Sequence, residues 1–189
     1  VSFLGNYNYT LYVPTNEAMK EAYRQGLPKW EDLDNLPKPG DDGTWASEEE
    51  KKESIAQRKR ISKEILNFLR FHFQDNSLYT DVVLSSGGNN YKTQTFNESE
   101  SVFYELNVKN SSNSLTVSSI SSTNQEVLSR ANVLPTICNK TAREYLFNAG
   151  VGVSPSATGI TSSSYLVLHA VDSPLFYSKM VNGKREQFK

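Results

Sequence analysis

The chain has 189 residues, 22% of them charged, and a formal net charge of -1. That length buries roughly two-thirds of the unfolded surface in one domain without help from disulfides or a metal. The balanced charge gives no general attraction to nucleic acid or to an anionic membrane. The single cysteine, Cys138, excludes an internal disulfide. The longest strongly apolar run, Tyr165 to Val171, falls far short of the ~20 residues a membrane helix needs. One cysteine suits a cytosolic protein, or a bacterial surface protein built without disulfides, better than a small secreted eukaryotic domain. The chain opens at Val1 without a charged-then-apolar leader, which reads as a mature fragment and leaves export undecided. Asn-x-Ser/Thr sequons at Asn8, Asn97, Asn110 and Asn139 are about as many as this composition yields by chance, so they carry no weight.

In chain order, Asn8 to Val13 has the β-branched and aromatic content of a short strand, which Pro14 ends. Thr15 is a helix N-cap, and Glu17 sits in the first turn, where the helix dipole favours an acid. Ala18, Met19, Ala22 and Tyr23 form the apolar face of this helix, and Gly26 and Pro28 stop it. An insertion of about residues 25–46 follows, with Pro28, Pro37, Pro39, a Pro-Gly-Asp-Asp-Gly turn and both tryptophans, Trp30 and Trp45. From Glu31 to Glu53 there are nine acidic residues against three lysines. Ser47 with Glu50 makes a capping box for a long helix of about residues 48–71. Ile55, Ile61, Ile65, Leu66, Leu69 and Phe73 recur at helical spacing and are expected to face a core. The later part of this helix, Arg58 to Arg70, is basic, as the dipole prefers toward a C-terminus.

From Leu78 the pattern changes to strands. Tyr79–Leu84, Tyr91–Phe96, Ser101–Val108 and Ser114–Ile120 are short β-rich runs separated by turn-forming clusters. Gln125 to Ile137 fits no single pattern. Asn139 to Ala149 reads either as a helix ending at Gly150 or as a strand. Gly150 to Ser164 reads as a loop, Tyr165 to Val171 as a buried strand, and the basic tail, residues 177–189, as frayed and flexible. No internal repeat is present, so one domain spanning residues 1–189 is expected.

Three segments share a pattern with a known family. Tyr9-Thr10-Leu11-Tyr12-Val13-Pro14-Thr15-Asn16-Glu17-Ala18-Met19 stands first, Phe71-His72 in the middle, and Ser164-Tyr165-Leu166-Val167-Leu168-His169-Ala170-Val171-Asp172-Ser173-Pro174-Leu175 last. In order and spacing they resemble the signature segments of fasciclin-type domains, with Pro-Thr-Asn-Glu-Ala and Leu-His-Ala-Val-Asp carrying most of the likeness. The usual Asn-Gly before the last strand is Ser-Tyr here, and only eight residues precede Tyr9. The resemblance implies an α+β fold, with a sandwich- or wedge-like core of two small sheets and helices packed along one edge. It also implies a non-catalytic extracellular module for adhesion, or for binding protein or glycan. The single cysteine and the insertion are most like bacterial members, particularly surface lipoproteins anchored in the outer membrane of gut-type Gram-negative bacteria. The main alternative is an accessory subunit of a nutrient-uptake or fimbrial surface assembly. The motifs proposed for integrin binding in animal members are only half present, so that activity is not carried over.

The motif residues have physical roles of their own. Pro14, Thr15 and Asn16 form the strand-to-helix turn, Thr15 with a hydroxyl for the orphan N–H groups. Asp172, just past a strand, can accept turn N–H bonds. His72 and His169 lie among apolar neighbours, where a neutral imidazole needs a partner for each nitrogen. Together they read as a structural hub. Two histidines and one cysteine make a poor metal site, so no metal or other cofactor is expected. Catalysis is not expected either. Cys138 ends an apolar run, Leu134 to Cys138, as a buried inert thiol does. No Gly-x-Ser-x-Gly elbow occurs. Gly150-Val151-Gly152 is followed by no phosphate-loop pattern. Asp41, Asp42, Glu48, Glu49 and Glu50 fail calcium-loop spacing and read as a solvated face. That leaves Trp30 and Trp45, which either display aromatic faces to a sugar or protein or fold back over the long helix.

Overall fold

The computed structural model describes residues 8–141 and 165–188. Its strands are β1 (Asn8–Pro14), β2 (Phe73–Asp75), β3 (Asn89–Asn97), β4 (Val102–Ser111), β5 (Ser114–Ile120), β6 (Val127–Asn132), β7 (Lys140–Thr141), β8 (Tyr165–Val171), β9 (Met180–Val181) and β10 (Lys184–Arg185). Two helices, α1 (Asn16–Arg24) and α2 (Glu48–Phe71), precede most of them. Eight strands form one sheet in the order β6-β5-β4-β3-β2-β1-β8-β7, and β9 and β10 pair separately. The fold is therefore mixed α/β around a large curled sheet. Val133, just beyond β6, bridges to Val171 at the end of β8. Leu134 N–H donates to Ala170 O at 2.9 Å, and Asp172 N–H to Asn132 O at 3.1 Å. The two ends of the sheet thus curl round to meet. Tyr12, Leu106, Leu115, Val133 and Val171 fill the interior in one apolar cluster.

The first helix forms as its sequence dictates. Thr15 is extended at φ -63° and accepts from Ala18 N–H at 3.2 Å. Gly26, at φ +108°, ends the helix, and a Cβ there would also meet Lys184 Cδ at 3.2 Å. Helix α2 is capped by Ser47, which accepts from Glu50 N–H at 3.0 Å. Its inward face differs from expectation. Ser54, Ile61, Glu64, Phe68 and Phe71 are buried, whereas Ile55, Leu66 and Leu69 are 40%, 42% and 50% exposed. Two stripes fit the helical period equally well, and Phe68 and Phe71 decide between them because aromatic side chains bury the most area. The chosen stripe carries a carboxyl inward. Burial pushes Glu64 up, and Arg60, 3.5 Å from Oε1, acts against that.

Phe73 is not part of the helix but begins β2, opposite Leu11 of β1. The expected strand at Tyr79–Leu84 does not form. Side chains take the backbone groups that a ladder would use. Asn139 Oδ1 accepts from Thr80 N–H at 2.9 Å, and Asn110 Nδ2 donates to Thr80 O at 2.8 Å and Val82 O at 2.5 Å. Two of the four sequon asparagines are therefore structural ties. The ambiguous stretch after Gln125 contains β6, and Lys140–Thr141 is strand. The rest of the Asn139–Ala149 segment and the Gly150–Ser164 loop lie outside the described residues.

The described part of the tail, residues 177–188, is packed rather than frayed. Buried Arg185 donates from Nε to Gln25 Oε1 and from Nη1 to Leu128 O and Ser178 O, each at 2.7 Å. Its guanidinium also lies 4.6 Å from the Phe176 ring centre. An exposed basic residue in sequence became a cross-brace because three acceptors converge on one fork.

Thr15→Ala is expected to lose about 1 kcal/mol of stability while Thr15→Ser keeps most of it. Urea unfolding of the three proteins, compared at constant m-value, checks this.

Candidate functional site

The three motif segments meet at one place. β1 and β8 pair in parallel along their whole length, from Asn8 opposite Tyr165 to Pro14 opposite Val171. Beyond the ladder, Thr15 N–H donates to Val171 O at 3.1 Å, so the turn that starts α1 is tied to the end of β8. Pro14 suits the last ladder position because it closes a strand without needing its own donor. Asn16 is exposed as the first residue of α1 and has no hydrogen bond to the other motif residues among those described.

His72 joins the middle segment to both others. Its carbonyl accepts from Tyr12 N–H at 3.0 Å. Nδ1 lies 2.8 Å from Phe68 O, and Nε2 accepts from Leu175 N–H at 3.1 Å. A carbonyl only accepts and an amide N–H only donates, so the ring is neutral with its proton on Nδ1. His169 repeats the logic with the nitrogens exchanged. Nε2 donates to Leu78 O at 2.8 Å, and Nδ1 accepts from Asn139 N–H at 3.2 Å. Its ring stacks near Tyr12 at 6.1 Å between centres. Burial holds His72 down at about 4 and pulls His169 below its ordinary value, each against a carbonyl bond that favours the charged form.

Asp172 caps the other side of the junction. Oδ1 accepts from Asn132 N–H at 2.8 Å and Oδ2 from Asn132 Nδ2 at 2.9 Å. Next to it Ser129 Oγ donates to Phe176 O at 2.9 Å and accepts from Phe176 N–H at 2.8 Å. Sequence reading missed Ser129, Asn132, Asn139 and Arg185. The only available sign of the first three was a scatter of small polar residues flanking strands, and Arg185 gave none, since each bonds a group far away in the chain.

Cys138 is half-buried rather than buried, and its Sγ donates to Pro135 O at 3.5 Å. Among the described residues, no group of three or more His, Cys, Asp or Glu side chains is arranged to hold a metal ion. Likewise no described helix is long and apolar enough to cross a membrane.

The tryptophans lie elsewhere. Trp30 opens a short 3-10 turn, Trp30–Leu33, and is 62% exposed, while Trp45 is half-buried just before the Ser47 cap. The insertion between them is fastened to α2 by Ser54 Oγ, which donates to Pro37 O at 2.7 Å. It is folded on the helix, yet it leaves Trp30 displayed.

No family model matches this chain, and no curated protein matches it.

The neutral imidazoles make stability depend on pH in a defined direction. A histidine depressed from 6.5 to about 4 binds its proton more readily in the unfolded chain, so its contribution is complete above 6.5 and is lost as pH falls toward 4. For His72 the loss is on the order of 3 kcal/mol, and His169 adds to it in the same direction. The denaturation midpoint should therefore fall steadily below pH 6.5. His72→Gln, which keeps one donor and one acceptor without a titrating proton, should flatten that slope in urea titrations at pH 7.5, 6 and 5.

Proposed function

We propose that this chain is a single fasciclin-type domain acting as a non-catalytic extracellular module that recognises protein or glycan at a bacterial surface. The observation that carries the reading is the residue-by-residue parallel pairing of the first and last motif segments, closed by Thr15 and crossed by His72. In a binding scaffold, motif residues hold the framework and recognition sits on loops. That division matches the placement of His72 and His169 inside the junction, with exposed Asp172 capping its side and Trp30 away from it.

The finer fold assignment, a wedge of two small sheets, is supported by how thinly the halves of the curled sheet are joined. β2 and β3 share a single paired position, Gln74 with Thr93, while β3 to β6 and the β2-β1-β8-β7 group contribute to one apolar cluster between them. The non-catalytic reading is supported by the saturation of both imidazoles, since a ring with both nitrogens bonded internally has no lone pair for a substrate. Location at the outer surface of a Gram-negative bacterium, through a lipid anchor upstream, rests on the single cysteine and on the resemblance. One observation favours the accessory-subunit alternative: the exposed Ile55, Leu66 and Leu69 on α2 suit a protein neighbour.

The insertion is proposed as the recognition element. Trp30→Ala should leave the melting temperature nearly unchanged and weaken capture of outer-membrane proteins or array glycans by at least about tenfold, the scale of an aromatic anchor. Trp45→Ala should lower both. If both changes cost stability while binding per folded molecule stays intact, the insertion is scaffold.

A further inference from the structure

The outward face of α2 is unusual for a solvated helix. A shallow groove of about 460 Å³ runs along it, with Ile55 and Leu66 as its apolar part and Arg58, Lys59, Lys63 and Arg70 along it. Lys63 is paired with Glu98 at 3.0 Å, but Arg58, Lys59 and Arg70 have no ion pair among the described residues. An apolar strip flanked by unpaired cations calls for an acidic surface that also carries a large apolar side chain.

The same chain displays such a surface. The insertion holds most of the nine acids between Glu31 and Glu53, with exposed Trp30 beside exposed Glu31 and near exposed Asp34. It cannot fill its own groove. Pro37 is bonded to Ser54, and Leu36 lines the same cleft as Ile61, on the flank of α2 turned away from Ile55 and Leu66. We infer that the groove of one molecule receives the acidic, Trp30-bearing insertion of a second copy, with the indole against Ile55 and Leu66 and the carboxylates against Arg58 and Lys59. The two surfaces are different, so the contact is heterologous and builds rings or open chains rather than a closed dimer. The contact takes up the same Trp30 that the proposed recognition of glycan or protein uses, so self-association and ligand capture compete for it, while the charge reversals below read the association alone. An anionic membrane is disfavoured as occupant because the acidic insertion beside the helix would be repelled by it.

The test is light scattering and sedimentation of the full chain across concentration and salt. At about 0.01 M salt, where charges act over about 30 Å, the mass should rise above the 21.3 kDa monomer with concentration. At about 1 M salt, with screening over about 3 Å, it should return to the monomer. Arg58→Glu with Lys59→Glu, and separately Glu31→Lys with Asp34→Lys, should each give a monomer at low salt with an unchanged melt. Mixing the two variants should restore association, because the reversed groove of one fits the reversed insertion of the other. A monomer under all conditions, a mixture that stays monomeric, or binding to phosphatidylglycerol vesicles in place of self-association overturns the inference.

Discussion

The parallel ladder between β1 and β8 is the constraint on which the rest of the molecule depends. It joins a segment near the start of the chain to one near its end, so all the intervening chain forms the crossover. Such a pairing closes a long loop before any contact repays the entropy, which makes it costly to form. Once it exists it fixes where α1 begins, where α2 delivers its last residue and where the curled sheet meets itself.

Two imidazoles make that junction tolerable in a dry interior. Leu78 O and Leu175 N–H belong to segments outside the ladders, and each takes its bond from a histidine ring. A buried backbone group without a partner costs more than the bond itself contributes, so the rings act as surrogate peptide units. A neutral imidazole suits this because it offers one donor and one acceptor on a rigid frame. The same saturation separates framework from surface. What the junction consumes is unavailable to a ligand, whereas Trp30 on the insertion and Ile55 and Leu66 on the outer face of α2 stay open.

Much of the framework is local and was legible. The caps at Thr15 and Ser47 depend on residues within one turn, and β5 depends on the alternation of Ser114 to Ile120. The misreadings share a cause. Ile55, Leu66 and Leu69 fit a core stripe by spacing, but Phe68 and Phe71 set the helix rotation through partners such as Phe176, Tyr104 and Tyr177. Tyr79–Leu84 had strand composition, yet Asn110 and Asn139 took its backbone groups. The tail had a frayed composition, yet Gln25 and Leu128 offered Arg185 acceptors from across the fold.

The sequence alone therefore determined the elements whose energetics close within a few residues, namely the two capped helices, the five longest strands and the turn chemistry between them. It also determined that His72 and His169 would need partners, because their surroundings are apolar along the chain itself. Only the tertiary structure decided which partners those are, which face of α2 turns inward and that the tail packs. Apart from Phe68 O, four residues before His72, and Ser178 O, seven before Arg185, the deciding atoms lie tens of residues away, where no local propensity encodes their position.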